Sequence, residues 1–276
     1  PFQVPCEVAN FTGREDVIEK VKTELTKGKI LLLHGPAGVG KTAIAIKLGH
    51  LLKDTFPDGV LWYKVDSSNI MDILLSIARI FGEDISGIKD IEVRASIVRT
   101  LLEKKKILLI FDNVVVNESI HLLIPNSSHS SIIFSSQESS IAIPTEYLSI
   151  YVDTFTNKEA IVLFEIIFSK AFVKSHTRQI LEVCEKLGNL PLALQMVANY
   201  LKQYPIPFKS YIKQLDEEPI DLQLMTYEDK NLLRAITISY NTLSQETKNV
   251  FISLSVFEGK DFSLESVSFI NKLSEK

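Results

Sequence analysis

One stretch constrains this chain more than any other: an apolar segment that runs straight into a glycine-rich turn closed by lysine and threonine, Ile30 to Thr42, ILLLHGPAGVGKT. Gly35, Gly40, Lys41 and Thr42 meet the pattern G-x-x-x-x-G-K-[ST] of a loop that holds nucleoside triphosphate phosphates. Lys29 to His34 is strand-like, and Ile44, Leu48, Leu51 and Leu52 follow Lys41 at helical spacing, so the turn lies where a strand hands over to a helix. The residue types suit the chemistry. Gly35, Gly38 and Gly40 allow positive φ and close approach of the backbone, so that the N–H groups of Gly38, Val39, Gly40, Lys41, Thr42 and Ala43 can face one concavity. The helix N-terminus adds positive potential. Lys41 can reach the β- and γ-phosphates as a point charge, and the Thr42 hydroxyl can bind Mg²⁺.

Composition bounds the rest. With 276 residues, 46% of them hydrophobic, the chain can fill two or three ordinary domains and is not disordered. A net charge of −4 gives no general attraction to nucleic acid or anionic lipid, and neither is expected as a partner. The basic run Lys104 to Lys106 precedes a predicted strand and reads as a solvated turn. Cys6 and Cys184 are far apart and lack metal-ligand spacing, so no disulfide or zinc site is expected and the compartment reads as reducing, hence cytoplasmic. No apolar run is long enough to span a membrane, and Pro1 opens no signal sequence. A start on proline and an end at Lys276 without a stop signal read as cuts in a longer chain.

After the phosphate loop, Gly59 to Val65 reads as a buried strand, Asn69 to Phe81 and Glu92 to Leu102 as helices, and Lys106 to Phe111 and Ser131 to Ser135 as buried parallel strands. This alternation predicts an α/β fold, a P-loop domain with a doubly wound parallel sheet over residues 1–150. From Thr156 the pattern becomes helical. Thr156 and Glu159 form a capping box, with Ala160, Leu163, Phe164, Ile167 and Phe168 on one apolar face. Further helices are expected from Thr177 to Leu187 and from Pro191 to about Leu201, and Tyr204 to Pro219 reads partly as linker, which makes 151–220 a small helical lid. Three short amphipathic segments over 221–276, around Leu232 to Tyr240, Val250 to Phe257 and Leu264 to Ile270, suit an incomplete winged helix.

Ile107 to Asp112 sets an aspartate at the end of a buried strand, where open α/β sheets bind ligands, and so suits a metal-holding Walker B residue opposite Thr42. Lys41 and Asp112 are the catalytic candidates, and Thr42 and Asp112 the metal candidates. Together with Phe11-Thr12-Gly13-Arg14-Glu15, the strand Ser131 to Gln137, and Gly188-Asn189-Leu190-Pro191-Leu192-Ala193, these motifs make the chain resemble, over essentially its whole length, the NB-ARC branch of the STAND signalling ATPases. That family includes plant NB-LRR resistance proteins, apoptosome scaffolds and bacterial regulators and defence proteins, and the opening PFQVP with FTGRE is most similar to the bacterial members.

The resemblance implies that Phe11, Thr12, Gly13 and Arg14 lie against adenine and ribose, and that Pro191 packs on the base and couples the lid to the nucleotide. It also implies ADP or ATP with Mg²⁺, a homo-oligomer in the activated state, and effector and sensor domains on either side. Two family positions differ. The second acidic residue after the Walker B aspartate is Asn113, whose amide cannot accept a proton at neutral pH. The arginine that usually follows the next strand is replaced by the uncharged Gln137 in Ser135-Ser136-Gln137. The family's histidine motif near the end of the winged helix is not found. Loss of two charge-stabilising groups predicts at most slow hydrolysis.

The expectation is therefore a switch held closed by ADP and opened by ATP exchange. An active remodelling ATPase is the alternative, and it needs a carboxylate elsewhere, Glu118 being the nearest acidic residue past Asp112. A DNA-binding regulator is a third reading, disfavoured because Gly259 to Phe269 sets a lone Lys260 against Asp261 and Glu265.

Overall fold

The computed structural model describes residues 1–65, 69–115, 118–127, 129–141 and 145–217, then 233, 235–238, 240–241, 243–257 and 262–271. Five parallel strands form one sheet in the order β2-β3-β4-β1-β5: β1 Ile30–His34, β2 Gly59–Lys64, β3 Ile107–Asp112, β4 Ser131–Ser136 and β5 Leu148–Tyr151. All six residues of β3 and of β4 are buried, as expected of strands covered on both faces. Within β1, Leu31 and Leu33 belong to one apolar cluster and Leu32 to the other, the period of two that a strand imposes.

The Leu32 face packs against helices α3 (Ile70–Ile80) and α4 (Ile91–Leu102), both capped as their sequences direct: the Asn69 side chain accepts from Met71 N, and Asp90 from Glu92 N and Val93 N. The opposite face packs against α1 (Glu15–Leu25) and α2 (Lys41–Leu51). Its apolar cluster continues without a break into a helical unit, α5 (Asn157–Ile167), α6 (Lys170–Lys186), α7 (Pro191–Gln203) and α8 (Phe208–Glu217).

Four elements depart from the sequence reading. α1 and β5 are additional. β5 is a short strand on the sheet edge with one buried residue in four, so it carries no apolar run, and pairing to β1 creates it. α6 begins at Lys170, seven residues before Thr177, because the Ser169 side chain accepts from Phe172 N and caps it there. α8 replaces most of the expected linker. Pro207 stands just ahead of it, accepting from Ser210 N and Tyr211 N, so this proline starts a helix rather than breaking one.

Residues 1–8 run as a strap along the outside of the sheet. Gln3 N donates to Val60 O at 2.9 Å and Val60 N to Pro1 O at 3.0 Å, while His50 Nε2 meets Pro5 O at 2.8 Å, which carries the chain over α2. Of the predicted winged helix, the described residues include the helices Gln245–Ser253 and Leu264–Asn271. Leu232, Lys260 and Asp261 lie outside them. Phe251 and Phe269 are 51% and 86% exposed, so this part contributes little to the core.

Candidate functional site

β1 ends at His34 and the chain turns through Gly35 to Gly40 before α2 starts at Lys41. Gly35, Gly38 and Gly40 have φ of 146°, 76° and 100°, conformations that side-chain-bearing residues rarely take. A Cβ on Gly35 would sit 2.5 Å from Val152 O, so the loop needs glycine there for room as well. The Lys41 ammonium donates to Gly35 O and Pro36 O, both at 2.8 Å, and ties the loop to its own helix. Only 8% of Lys41 is exposed, and burial lowers its pKa from the ordinary value, opposed by the charge of Asp112. His34, whose ring lies 5.4 Å from that of Tyr151, is also held below its ordinary pKa, by burial first and Lys41 second.

The strand order sets the next layer. β4 lies between β3 and β1, so Ser135 stands between Asp112 and the phosphate loop. Ser135 Oγ donates to Asp112 Oδ1 and accepts from Asn113 N at 2.9 Å. Thr42 Oγ1 lies 2.9 Å and 3.2 Å from the two carboxylate oxygens of Asp112. A hydroxyl and a carboxylate brought together beside a phosphate loop are hard oxygen donors, and they fit Mg²⁺, which takes one or two protein ligands and keeps water for the rest. Asn113 stands in the left-handed region at φ 57°, which asparagine tolerates. Gln137 follows β4 and is exposed. Glu118 opens a 3₁₀ turn, Glu118–Leu123, after β3.

The loop opens into a cleft of about 380 Å³. Phe11, Thr12 and Arg14 line it together with Gly38, Val39, Gly40, Lys41, Thr42, Ala43 and Pro191, so ten residues singled out from sequence meet around one cavity. Asp112 lies behind Thr42, outside the lining. Gly13 is also outside it. At φ 68° its hydrogen faces Glu159, and a Cβ there would be 2.6 Å from Glu159 Oε1, so glycine is needed here for the approach of α5.

Leu192, from the Gly188 to Ala193 motif, also lines it, and other lining residues carried no motif: Val8 at the end of the strap with Ala9 and Asn10 after it, Phe155 ahead of the Thr156 cap, Leu163 on α5, and Gln195 on α7. Gln195 could have been found from Pro191, since a residue four positions on shares its helix face. Leu163 reads simply as core, on the apolar face after the Thr156 cap, and Phe155 has no sequence signal of its own.

A backbone hydrogen bond joins α7 to the phosphate loop, and Arg14 ties the loop to the segment that leads into α5. Leu192 N donates to Gly38 O at 3.1 Å, using an N–H of the first turn of α7 that has no partner inside the helix. Arg14 donates from Nη2 to Val39 O at 3.3 Å and to Asp153 O at 2.5 Å, with its guanidinium 4.8 Å from the centroid of the Phe155 ring. Burial lowers the Arg14 pKa from its ordinary value, and Glu159 and Asp153 oppose the shift.

Residues 14–174 match the family model of the NB-ARC domain. Regulatory protein AfsR of Streptomyces coelicolor is 26% identical over 287 residues, and that of Streptomyces griseus 26% over 280. The alignments take in 98% and 97% of this chain but 29% of either relative, so the chain spans well under half the length of these proteins. Among solved structures, a Signal Transduction ATPase with Numerous Domains (STAND) protein with a tetratricopeptide repeat sensor, from Pyrococcus horikoshii, matches 98% of this chain and 38% of its own, at TM-score 0.64 and 16% identity. A Walker-type ATPase of Pyrococcus abyssi matches 98% of this chain and 91% of its own, at TM-score 0.57 and 12% identity. These two likenesses concern the fold.

Proposed function

The chain belongs to the NB-ARC family, and from that premise we propose that it is the nucleotide-dependent switch of a longer regulatory protein, closed around ADP and opened by exchange for ATP. One observation carries the reading: the phosphate loop and the helical unit are opposite walls of one cleft, so a ligand in it touches both. A nucleotide can shift an equilibrium between closed and open forms only through contacts that differ between them, and a cleft shared by two units supplies such contacts.

In this reading the backbone N–H groups from Gly38 to Ala43 and the ammonium of Lys41 hold the phosphates of either nucleotide. Thr42 and Asp112 hold Mg²⁺, which supplies charge neutralisation at the β- and γ-phosphates and so favours the triphosphate. Ser135 fixes the orientation of the Asp112 carboxylate. Phe11, Thr12, Pro191 and Gln195 enclose the nucleoside from two sides. Hydrolysis is slow, because Asn113 offers no base and Gln137 no charge where family members usually place an acid and an arginine. Homo-oligomerisation in the open form, adjoining effector and sensor domains, and a cytoplasmic setting belong to the same proposal. Among the described residues no helix is long and apolar enough to cross a membrane.

The test is to purify the chain, denature it and identify what is released by chromatography. Stoichiometric ADP is the expected result. A chain that retains no nucleotide, yet turns over ATP on the order of 1 per second or faster, would replace the switch with a cycling motor.

A further inference from the structure

Glu159 does two jobs, and only one was expected. As the third residue of α5 it closes the capping box: Oε2 accepts from Thr156 N at 2.7 Å and from Thr156 Oγ1 at 2.9 Å, while Glu159 N donates to Thr156 Oγ1 at 3.3 Å. Its other oxygen is turned away from the cap. Oε1 accepts from the backbone N–H of Arg14 at 3.2 Å and lies 3.9 Å from Arg14 Nη1, across 145 residues of chain. A capping box works with glutamine as well as glutamate, so the cap does not ask for a negative charge at this position. Arg14 does. Its side chain is 8% exposed, and Glu159 is the carboxylate in ion-pair reach of it among the described residues.

Arg14 in turn holds the phosphate loop through Val39 O and covers Phe155, a wall of the cleft. Leu163, one helical turn beyond Glu159, is another wall. Glu159 itself is not in the lining, so any influence it has on a bound nucleotide passes through Arg14 or through the position of α5.

We propose that Glu159 is a positioning residue of the switch, a latch that ties α5 through Arg14 to the Val39 carbonyl of the phosphate loop, so that lifting the helical unit off the cleft must separate a largely buried ion pair. The idea rests on the nucleotide reading of the cleft. Breaking such a pair leaves a guanidinium in a poorly hydrated place without its ion-pair partner, with the weaker influence of Asp153 remaining, which makes opening costly while the pair is intact. Replacing Glu159 by glutamine keeps the shape, and its single amide oxygen can keep the cap, but the negative charge is lost and an NH2 donor is left facing the Arg14 N–H, so the closed form no longer holds the contact that opening must break.

The experiment loads the chain with a fluorescent N-methylanthraniloyl ADP, chases it with excess ADP, and follows release by stopped flow, with thermal melting in parallel. Glu159→Gln is expected to release the analogue at least about fivefold faster, at the low end of ordinary coupling between sites, and to melt somewhat earlier because the guanidinium has lost its partner. Thr156→Ala, which damages the cap and spares the pair, is expected to melt earlier and release at the wild-type rate. In an Arg14→Gln background, E159Q is expected to add nothing, because the two residues act as one unit. Wild-type release from E159Q overturns the latch, and so does a Thr156→Ala variant that accelerates release as much as E159Q, since the helix end would then be responsible. Failure of the wild-type chain to take up the analogue is a different result, which overturns the nucleotide reading and the latch with it.

Discussion

At one end of the cleft, Gly38 to Ala43 are consecutive residues that build their surface from a single strand-to-helix turn; at the other, the walls come from Val8 to Thr12, from Phe155 and Leu163, and from Pro191, Leu192 and Gln195. The phosphate end is local and made mostly of backbone, so the order of residues along a short segment sets its shape. The base end exists only while the strap, α5 and α7 are packed together. Disturbing the first should weaken every phosphate-bearing ligand alike, whereas disturbing the second should change how fast the cleft opens.

Lys41→Ala is the largest expected effect. Loss of the ammonium should cut ADP and ATP affinity by at least about 100-fold, or about 3 kcal/mol, measured by titration calorimetry. Equal affinity in the variant would mean that the phosphate end does not hold phosphate. Next comes Asn113→Asp, which restores a carboxylate beside Asp112 in a backbone conformation that aspartate tolerates at φ 57°. ATP turnover should rise by about 100-fold, read as phosphate release, if the missing base is what limits hydrolysis. An unchanged rate would place the limit elsewhere, in lid opening or in Gln137.

At the base end, Gly13→Ala should cost about 1–3 kcal/mol of stability in urea melts, because alanine is strained at φ 68° and its Cβ would displace the Glu159 carboxylate 2.6 Å away. Here the contrast sharpens: the same variant should release ADP faster, while Lys41→Ala should leave stability close to wild type. Thr156→Ala is the smallest, at about 1 kcal/mol of stability for the lost cap.

The elements that were legible in the sequence are those whose signal is local. β3 shows as the apolar run Ile107 to Phe111 because both its faces are covered, α3 shows through periodicity, and α5 through periodicity and its side-chain cap. β5 was not legible, since an edge strand with three residues outside the core has no pattern of its own and depends on hydrogen bonds to β1. α8 was hidden by Pro205 and Pro207, which read as a break until Pro207 is seen to start the helix. The site divided in the same way. Lys41, Thr42 and Asp112 are carried by motifs, but Leu163 and Phe155 have no meaning for the site until α5 is laid against the loop.

The residues of the sequence by themselves determine the phosphate loop, the glycines that give it positive φ, the lysine and threonine that follow, and the aspartate at the end of a buried strand, because each depends on neighbours within a few positions. Only the tertiary structure decides that β4 lies between β3 and β1, which sets Ser135 against Asp112, and that Glu159 reaches Arg14 from the far wall of the cleft. The physical reason is that strand order and lid placement follow from burying two faces of a sheet at once, a property of the whole packed chain that no single segment contains.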